Sequence, residues 1–185
     1  MPDSDASVPT ADAAPRFVDT DLYARLDGLD IAHRTVEHAP LFTVEESQAL
    51  RGELPGAHIK NLFLRDKKKN IWLVTVLEDR EVDLKALKTL FEARGNLSFG
   101  SADLLMDVLG VIPGAVTPFG VLNDTEGRAT MVLDKAILAE ETANAHPLRN
   151  DRTTAVASQD LVAFLKAENH APLLLNFDTM ELEET

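Results

Sequence analysis

Two apolar segments separated by a short polar turn constrain this chain more than any other feature. Ala57-His58-Ile59-Lys60-Asn61-Leu62-Phe63-Leu64 is followed by Arg65-Asp66-Lys67-Lys68-Lys69-Asn70 and then by Ile71-Trp72-Leu73-Val74-Thr75-Val76-Leu77. Runs rich in β-branched and large apolar residues around a turn-forming stretch predict a β-hairpin. Lys60 stands out in the first strand. An unpaired ammonium is costly to bury, so this lysine either snorkels to water or sits where an anion will meet it.

Length and composition narrow the fold class. A chain of 185 residues can enclose one well-buried core, and no internal repeat is visible. There is no cysteine, which removes thiol nucleophiles, disulfides and thiolate metal sites. Residues 1–14, rich in Pro, Ala, Asp and Thr, read as a disordered tail, residues 15–178 as the folded domain, and 179–185 as an acidic frayed end. The start lacks the basic and apolar regions of a secretory signal, and no run nears the roughly 20 apolar residues of a membrane span. The expectation is a cytoplasmic protein.

The net charge of −13 argues against general nucleic-acid binding, and no DNA partner is expected. Its distribution is uneven. Arg51 to Arg94 carries ten Lys and Arg against seven Asp and Glu, and within it Ala57 to Asn70 holds five cations and one anion. One basic island therefore sits in an acidic chain.

The remaining elements alternate irregularly. Asp19-Thr20-Asp21 opens a short helix ending near Gly28, Ala32 to Glu37 reads as a strand, and Thr43 to Glu46 fits a capping box for a helix to about Leu50. Asp83 and Ser101 are N-caps of two further helices, with Gly95-Asn96 and Gly110 as their stops. Val111 to Leu122 reads as loop and strand, Thr130 to Leu133 and Lys135 to Leu138 as strands, and Thr153 to Ala157 as a strand. Ser158 is then expected to cap a helix, and Leu173 to Leu175 to form the last strand. This order lacks the even βαβ rhythm of a doubly wound sheet. It predicts a mixed α/β, α+β-like single domain: a curled mixed sheet or barrel flanked by helices.

Common catalytic signatures are absent. There is no GxGxxG, GxxxxGK[ST], HExxH or GxSxG, and the five histidines at 33, 38, 58, 146 and 170 show no regular ligand spacing, so neither cofactor nor metal is expected. Three positive signals remain. Lys60-Asn61 is the first. The second is Gly114-Ala115-Val116-Thr117-Pro118 with Phe119-Gly120, where glycine and proline fix a loop whose amides can approach a carbonyl or oxyanion. The third is His146-Pro147-Leu148-Arg149-Asn150, a histidine before a proline-stiffened turn.

Together with Pro40-Leu41-Phe42-Thr43-Val44-Glu45-Glu46 and Gly56 to Leu64, these segments resemble the YbaK/prolyl-tRNA synthetase insertion-domain family of aminoacyl-tRNA deacylases. The similarity is to its free-standing ProX-type members and runs from Tyr23 to about Phe177. The resemblance implies a trans-editing hydrolase that cleaves the ester of mischarged proline tRNA, with alanine as the expected amino acid. A cysteine-specific deacylase of the same family, or a non-catalytic module binding tRNA or a synthetase, stays open. It also implies site positions: Lys60 at the acceptor end, Gly114 with Ala115, Val116, Thr117, Pro118 and Phe119 around the aminoacyl group, and His146 at the same site; the roles expected are Asn61 supporting Lys60 and His146 orienting a water or the tRNA end. The implied partners are the acceptor end of tRNA and prolyl-tRNA synthetase, with no membrane.

Overall fold

The computed structural model describes residues 16–40 and 54–185. The hairpin forms as its composition requires. Strand β2 (Ala57–Arg65) pairs antiparallel with β3 (Ile71–Leu77), from Ile59 opposite Leu77 to Arg65 opposite Ile71. The intervening turn closes around Asp66, which accepts the backbone amides of Lys68, Asn70 and Arg94 and the side-chain amide of Asn70. Desolvation would raise the Asp66 carboxyl, but these donors outweigh it and hold it below the usual carboxylate range.

Strand β3 is buried along both faces because each side carries its own core. Ile71 and Leu73 pack with Met131, Leu133, Phe119 and Phe164 on one side. Trp72, Val74 and Val76 pack with Leu62, Leu64, Leu87 and Val132 on the other. Two-faced burial explains why the hairpin reads as near-continuous apolar runs rather than as an alternation.

Further strands are β1 (His33–Glu37), β4 (Ser98–Phe99), β5 (Ala129–Asp134), β6 (Thr142–Ala145), β7 (Arg152–Ala157), β8 (Leu173–Asn176) and β9 (Glu181–Glu183). The sheet runs β1-β7-β6-β2-β3-β5-β8-β9, with β4 attached to β2. Pairs β2–β6, β3–β5 and β5–β8 are parallel and the others antiparallel, so the sheet is mixed within a single α/β domain. Helix α1 (Asp19–Gly28) buries Leu22 and Leu26, α2 (Leu84–Leu90) buries Leu87, α3 (Ala102–Leu109) buries Leu105, Val108 and Leu109, and α4 (Ser158–Ala167) buries Leu161, Phe164 and Leu165. Asp83 caps α2 through the Lys85 amide, Ser101 caps α3 through the Leu104 amide, and Gly110 ends α3 at φ +67°. Among the described residues, no helix is long and apolar enough to cross a membrane.

Several local expectations are corrected. Lys135–Ala139 is a 3₁₀ helix rather than a strand, because the Asp134 side chain accepts the Ala136 amide and turns the chain. Pro118–Leu122 is also a 3₁₀ helix, started by Thr117 and by proline at its first position. Thr142–Ala145, for which no strand was expected, is strand β6, and Ser158 lies inside α4 with Ala157 before it and no side-chain cap. The acidic end contains β9, paired with β8. The capping box at Thr43 to Glu46, its helix and the N-terminal tail lie outside the described residues.

One buried ion pair closes the fold behind the loop of interest. His170 Nε2 lies 2.9 Å from Asp124 Oδ2, and the same carboxylate accepts the amides of Arg128 and Ala129, fixing the entry to β5. Burial opposes ionisation of both groups, yet their mutual hydrogen bond and the surrounding backbone contacts prevail, lowering the Asp124 pKa and raising that of His170. The Asp124 contribution is present above the ordinary carboxylate value of 3.8 and is lost as pH falls through the depressed folded value. The His170 contribution is full below 6.5 and is lost as pH rises through the raised folded value. His170→Leu should therefore destabilise the protein by about 3 kcal/mol, since it strands a buried carboxylate. In urea unfolding the gap from the wild type should be widest between roughly pH 4 and 6.5 and should narrow above it; a pH-independent gap would contradict this.

Candidate functional site

Strand β2 changes neighbours along one edge. At Ala57 and His58 it pairs in parallel with Ala143 and Asn144 of β6, and at Leu64 and Arg65 it pairs with β4. Between these points the strands part, and no strand pairs with that edge among the described residues. The resulting fork contains a cavity of about 30 Å³ lined by His58, Ile59, Asn61, Asn144, Ala145, His146 and Thr153.

The Gly114 to Pro118 loop reaches this fork from one side. Asn61 Nδ2 donates to the Val116 carbonyl at 2.9 Å, while Asn61 Oδ1 accepts from the Thr75 hydroxyl at 2.7 Å. Asn61 thus joins the loop to both strands of the hairpin. Gly114 sits at φ +89°, where a residue with a Cβ would be strained, and Ala115 N donates to Ile112 O within the turn. Ala115, Thr117, Pro118 and Phe119 are buried, with Phe119 edge-on to Phe164 at 5.3 Å, and they support the loop from behind. The amides of Ala115 and Phe119 are committed to Ile112 O and Thr117 Oγ1. Among the described residues, those of Gly114, Val116 and Thr117 have no partner.

Lys60 and Asn61 do not form a unit. Consecutive strand residues face opposite ways, and Asn61 shares its face with Thr75 and the loop. Lys60 lies opposite Val76 on the other face, the one that His58 presents beside Asn144. Lys60 is half-buried, does not line the cavity, and has no hydrogen bond or ion pair among the described residues.

His146 does line the cavity, together with Asn61. Its Nδ1 lies 3.0 Å from the Arg152 carbonyl, which can only accept, so the proton is on Nδ1 and Nε2 is left as an acceptor. Burial pushes the His146 imidazole below its ordinary 6.5; the Arg152 carbonyl opposes that shift and the facing His38 ring adds to it. The turn that carries His146 holds Leu148 at φ +65°, and it is braced by the Arg149 pair with Asp151 and by Arg149 and Arg152 against Asp19 of α1.

The structure adds residues that the sequence reading passed over. The rings of His38 and His146 are 6.3 Å apart, and His38 Nε2 accepts from the Thr153 hydroxyl at 2.8 Å while Nδ1 donates to Ala39 O. His58 and Asn144 sit side by side across the β2–β6 ladder. Their signal was alternation, since Asn144 and His146 are two apart, but it becomes readable only once Thr142–Ala145 is known to be a strand.

Comparison with known proteins agrees with this architecture. Residues 38–164 match the aminoacyl-tRNA editing domain. The chain is 43% identical over 162 residues to prolyl-tRNA synthetase associated domain-containing protein 1 of Mus musculus, covering 85% of this chain and 95% of the mouse protein. It is 37% identical over 148 residues to the prolyl-tRNA editing protein ProX of Acetoanaerobium sticklandii, covering 80% and 90% of the two chains. The solved structure of a candidate trans-editing enzyme for prolyl tRNA synthetase superposes with a TM-score of 0.64 at 20% identity, over 89% of this chain and 92% of that one, a likeness of fold. The chain belongs to the aminoacyl-tRNA editing domain family.

Proposed function

We propose that this protein is an aminoacyl-tRNA deacylase that hydrolyses the ester of mischarged proline tRNA, with alanine as its preferred amino acid. The observation that carries the reading is the Asn61 bridge, which ties the Val116 carbonyl of the loop to a strand residue that lines the same cavity as His146. The names of the ProX and synthetase-associated relatives support proline tRNA as the carrier and prolyl-tRNA synthetase as a partner.

An aminoacyl ester on a terminal ribose is already labile. Hydrolysis then needs a placed water, a held carbonyl and a neutralised terminus rather than a strong nucleophile. In this reading the Gly114, Val116 and Thr117 amides meet the ester carbonyl, and the buried residues Ala115, Pro118 and Phe119 set the shape of the loop. Lys60 takes the terminal phosphate or ribose from the opposite face of β2, and His146 orients water. Asn61 acts on the loop rather than on Lys60, a change from the role expected for it. Discrimination by size admits alanine and excludes a larger side chain, but one methylene or thiol separates substrates weakly.

A panel of mischarged tRNAs tests this directly. Alanine should be released from proline tRNA faster than cysteine or proline; faster cysteine release would assign the protein to cysteine, and salt-sensitive binding without hydrolysis would leave only a tRNA-binding module. Lys60→Ala should lower kcat/KM for the preferred substrate by about 10- to 100-fold, the loss of one charge-assisted contact, and unchanged activity would remove Lys60 from the site. The neutral imidazole is the working form of His146, so activity should be retained above its depressed pKa and fall as pH drops through it. The acid limb of kcat/KM should thus lie below 6.5, and a limb above that value would contradict the assignment.

A further inference from the structure

Asn144 is buried, and its side chain is fixed by two contacts. Nδ2 donates to the carbonyls of Pro55 at 3.0 Å and Ala57 at 3.2 Å. Two carbonyls can be met only by the NH₂ end of the amide, so the opposite orientation is excluded and Oδ1 must face away from them. That oxygen is buried and has no hydrogen-bond partner among the described residues. A buried acceptor left alone costs about 1–3 kcal/mol, and native structures avoid this unless the atom meets a water or ligand.

Asn144 lines the same 30 Å³ cavity as His146, and also a wider one with His33, Leu54 and Ala155. A space of about 30 Å³ admits one or two water molecules. His146 follows Ala145, the last residue of β6, so it stands two positions beyond Asn144 at the end of that strand. A water between them can donate one hydrogen to Asn144 Oδ1 and the other to His146 Nε2, the nitrogen left unprotonated by the Arg152 carbonyl contact. Its lone pairs then point away from both, toward the open part of the fork.

We infer that Asn144 Oδ1 and His146 Nε2 together bind the water that attacks the ester. This rests on the deacylase reading and assigns to it a residue on β6 that the three sequence signals did not include. In the step itself, the water oxygen bonds to the carbonyl carbon as the carbonyl electron pair moves onto oxygen, and the proton on the His146 side passes to Nε2. Collapse of the adduct breaks the bond to the ribose oxygen, which takes that proton from His146. The products are the free acid and the ribose hydroxyl, with no further reactant.

A crystal structure of the wild type at water-resolving resolution, with single-turnover kinetics of Asn144→Leu and Asn144→Asp, tests the inference. The expected result is an ordered water within about 3.2 Å of both Oδ1 and Nε2. Asn144→Leu should lower the hydrolytic rate about 100-fold with KM unchanged, the loss expected when a reacting group is misplaced by about 1 Å. Asn144→Asp loses the same contacts to Pro55 and Ala57 but retains an acceptor, so it should keep most of the rate; equal loss in both variants would mean a structural role and overturn the inference. A rise in KM at constant rate would place the substrate ammonium on Oδ1 and also overturn it. Should either variant fail to fold, the wild-type density decides alone. If the wild type hydrolyses no aminoacyl-tRNA, the deacylase reading fails, while the water site stands or falls on that density.

Discussion

A strand in a sheet interior must satisfy its backbone groups on both edges, and β2 meets that demand with three different neighbours. Along one edge it keeps β3 for seven consecutive pairs. Along the other it leaves β6 after two pairs and meets β4 only at its far end. Beside the gap, the Asn61 side chain ties β2 to the Val116 carbonyl of the loop. A fork in the sheet therefore creates an opening, lined by Asn61 of β2, Asn144 of β6 and His146 just beyond it.

The loop facing that fork is rigid for identifiable reasons. Gly110 ends α3, Gly114 supplies a second left-handed residue, and the 3₁₀ helix Pro118–Leu122 is wholly buried against α3 and α4. Asn123 ties its end to Leu109 O and to Phe17, and the Asp124–His170 pair anchors the following turn. The loop amides are thus held before any substrate arrives, which is the condition for electrostatic preorganisation.

Much of this was legible in the sequence because local chemistry and the global fold agree. The hairpin, the Asp83 and Ser101 caps, the Gly110 stop and the mixed topology follow from turn residues, caps and apolar runs. The misread segments are short and bounded by side-chain to backbone bonds, such as Asp134 to the Ala136 amide, which periodicity does not record. Lys60 and Asn61 were adjacent in sequence and so were read as partners, but strand geometry sends them to opposite faces. Asn144 was invisible because its meaning lies in one unsatisfied oxygen, a property of packing and not of composition.

The central claim is that the aminoacyl end of a mischarged tRNA enters the fork between β2 and β6. A crystal structure with a non-hydrolysable amide analogue of 3′-alanyl-adenosine measures this most directly. The account predicts the analogue's carbonyl oxygen within hydrogen-bond distance of the Gly114, Val116 or Thr117 amides, with its ribose beside Lys60 and its amide carbon facing His146. Clear density for the analogue at another place on the protein, with the fork unchanged, would contradict it.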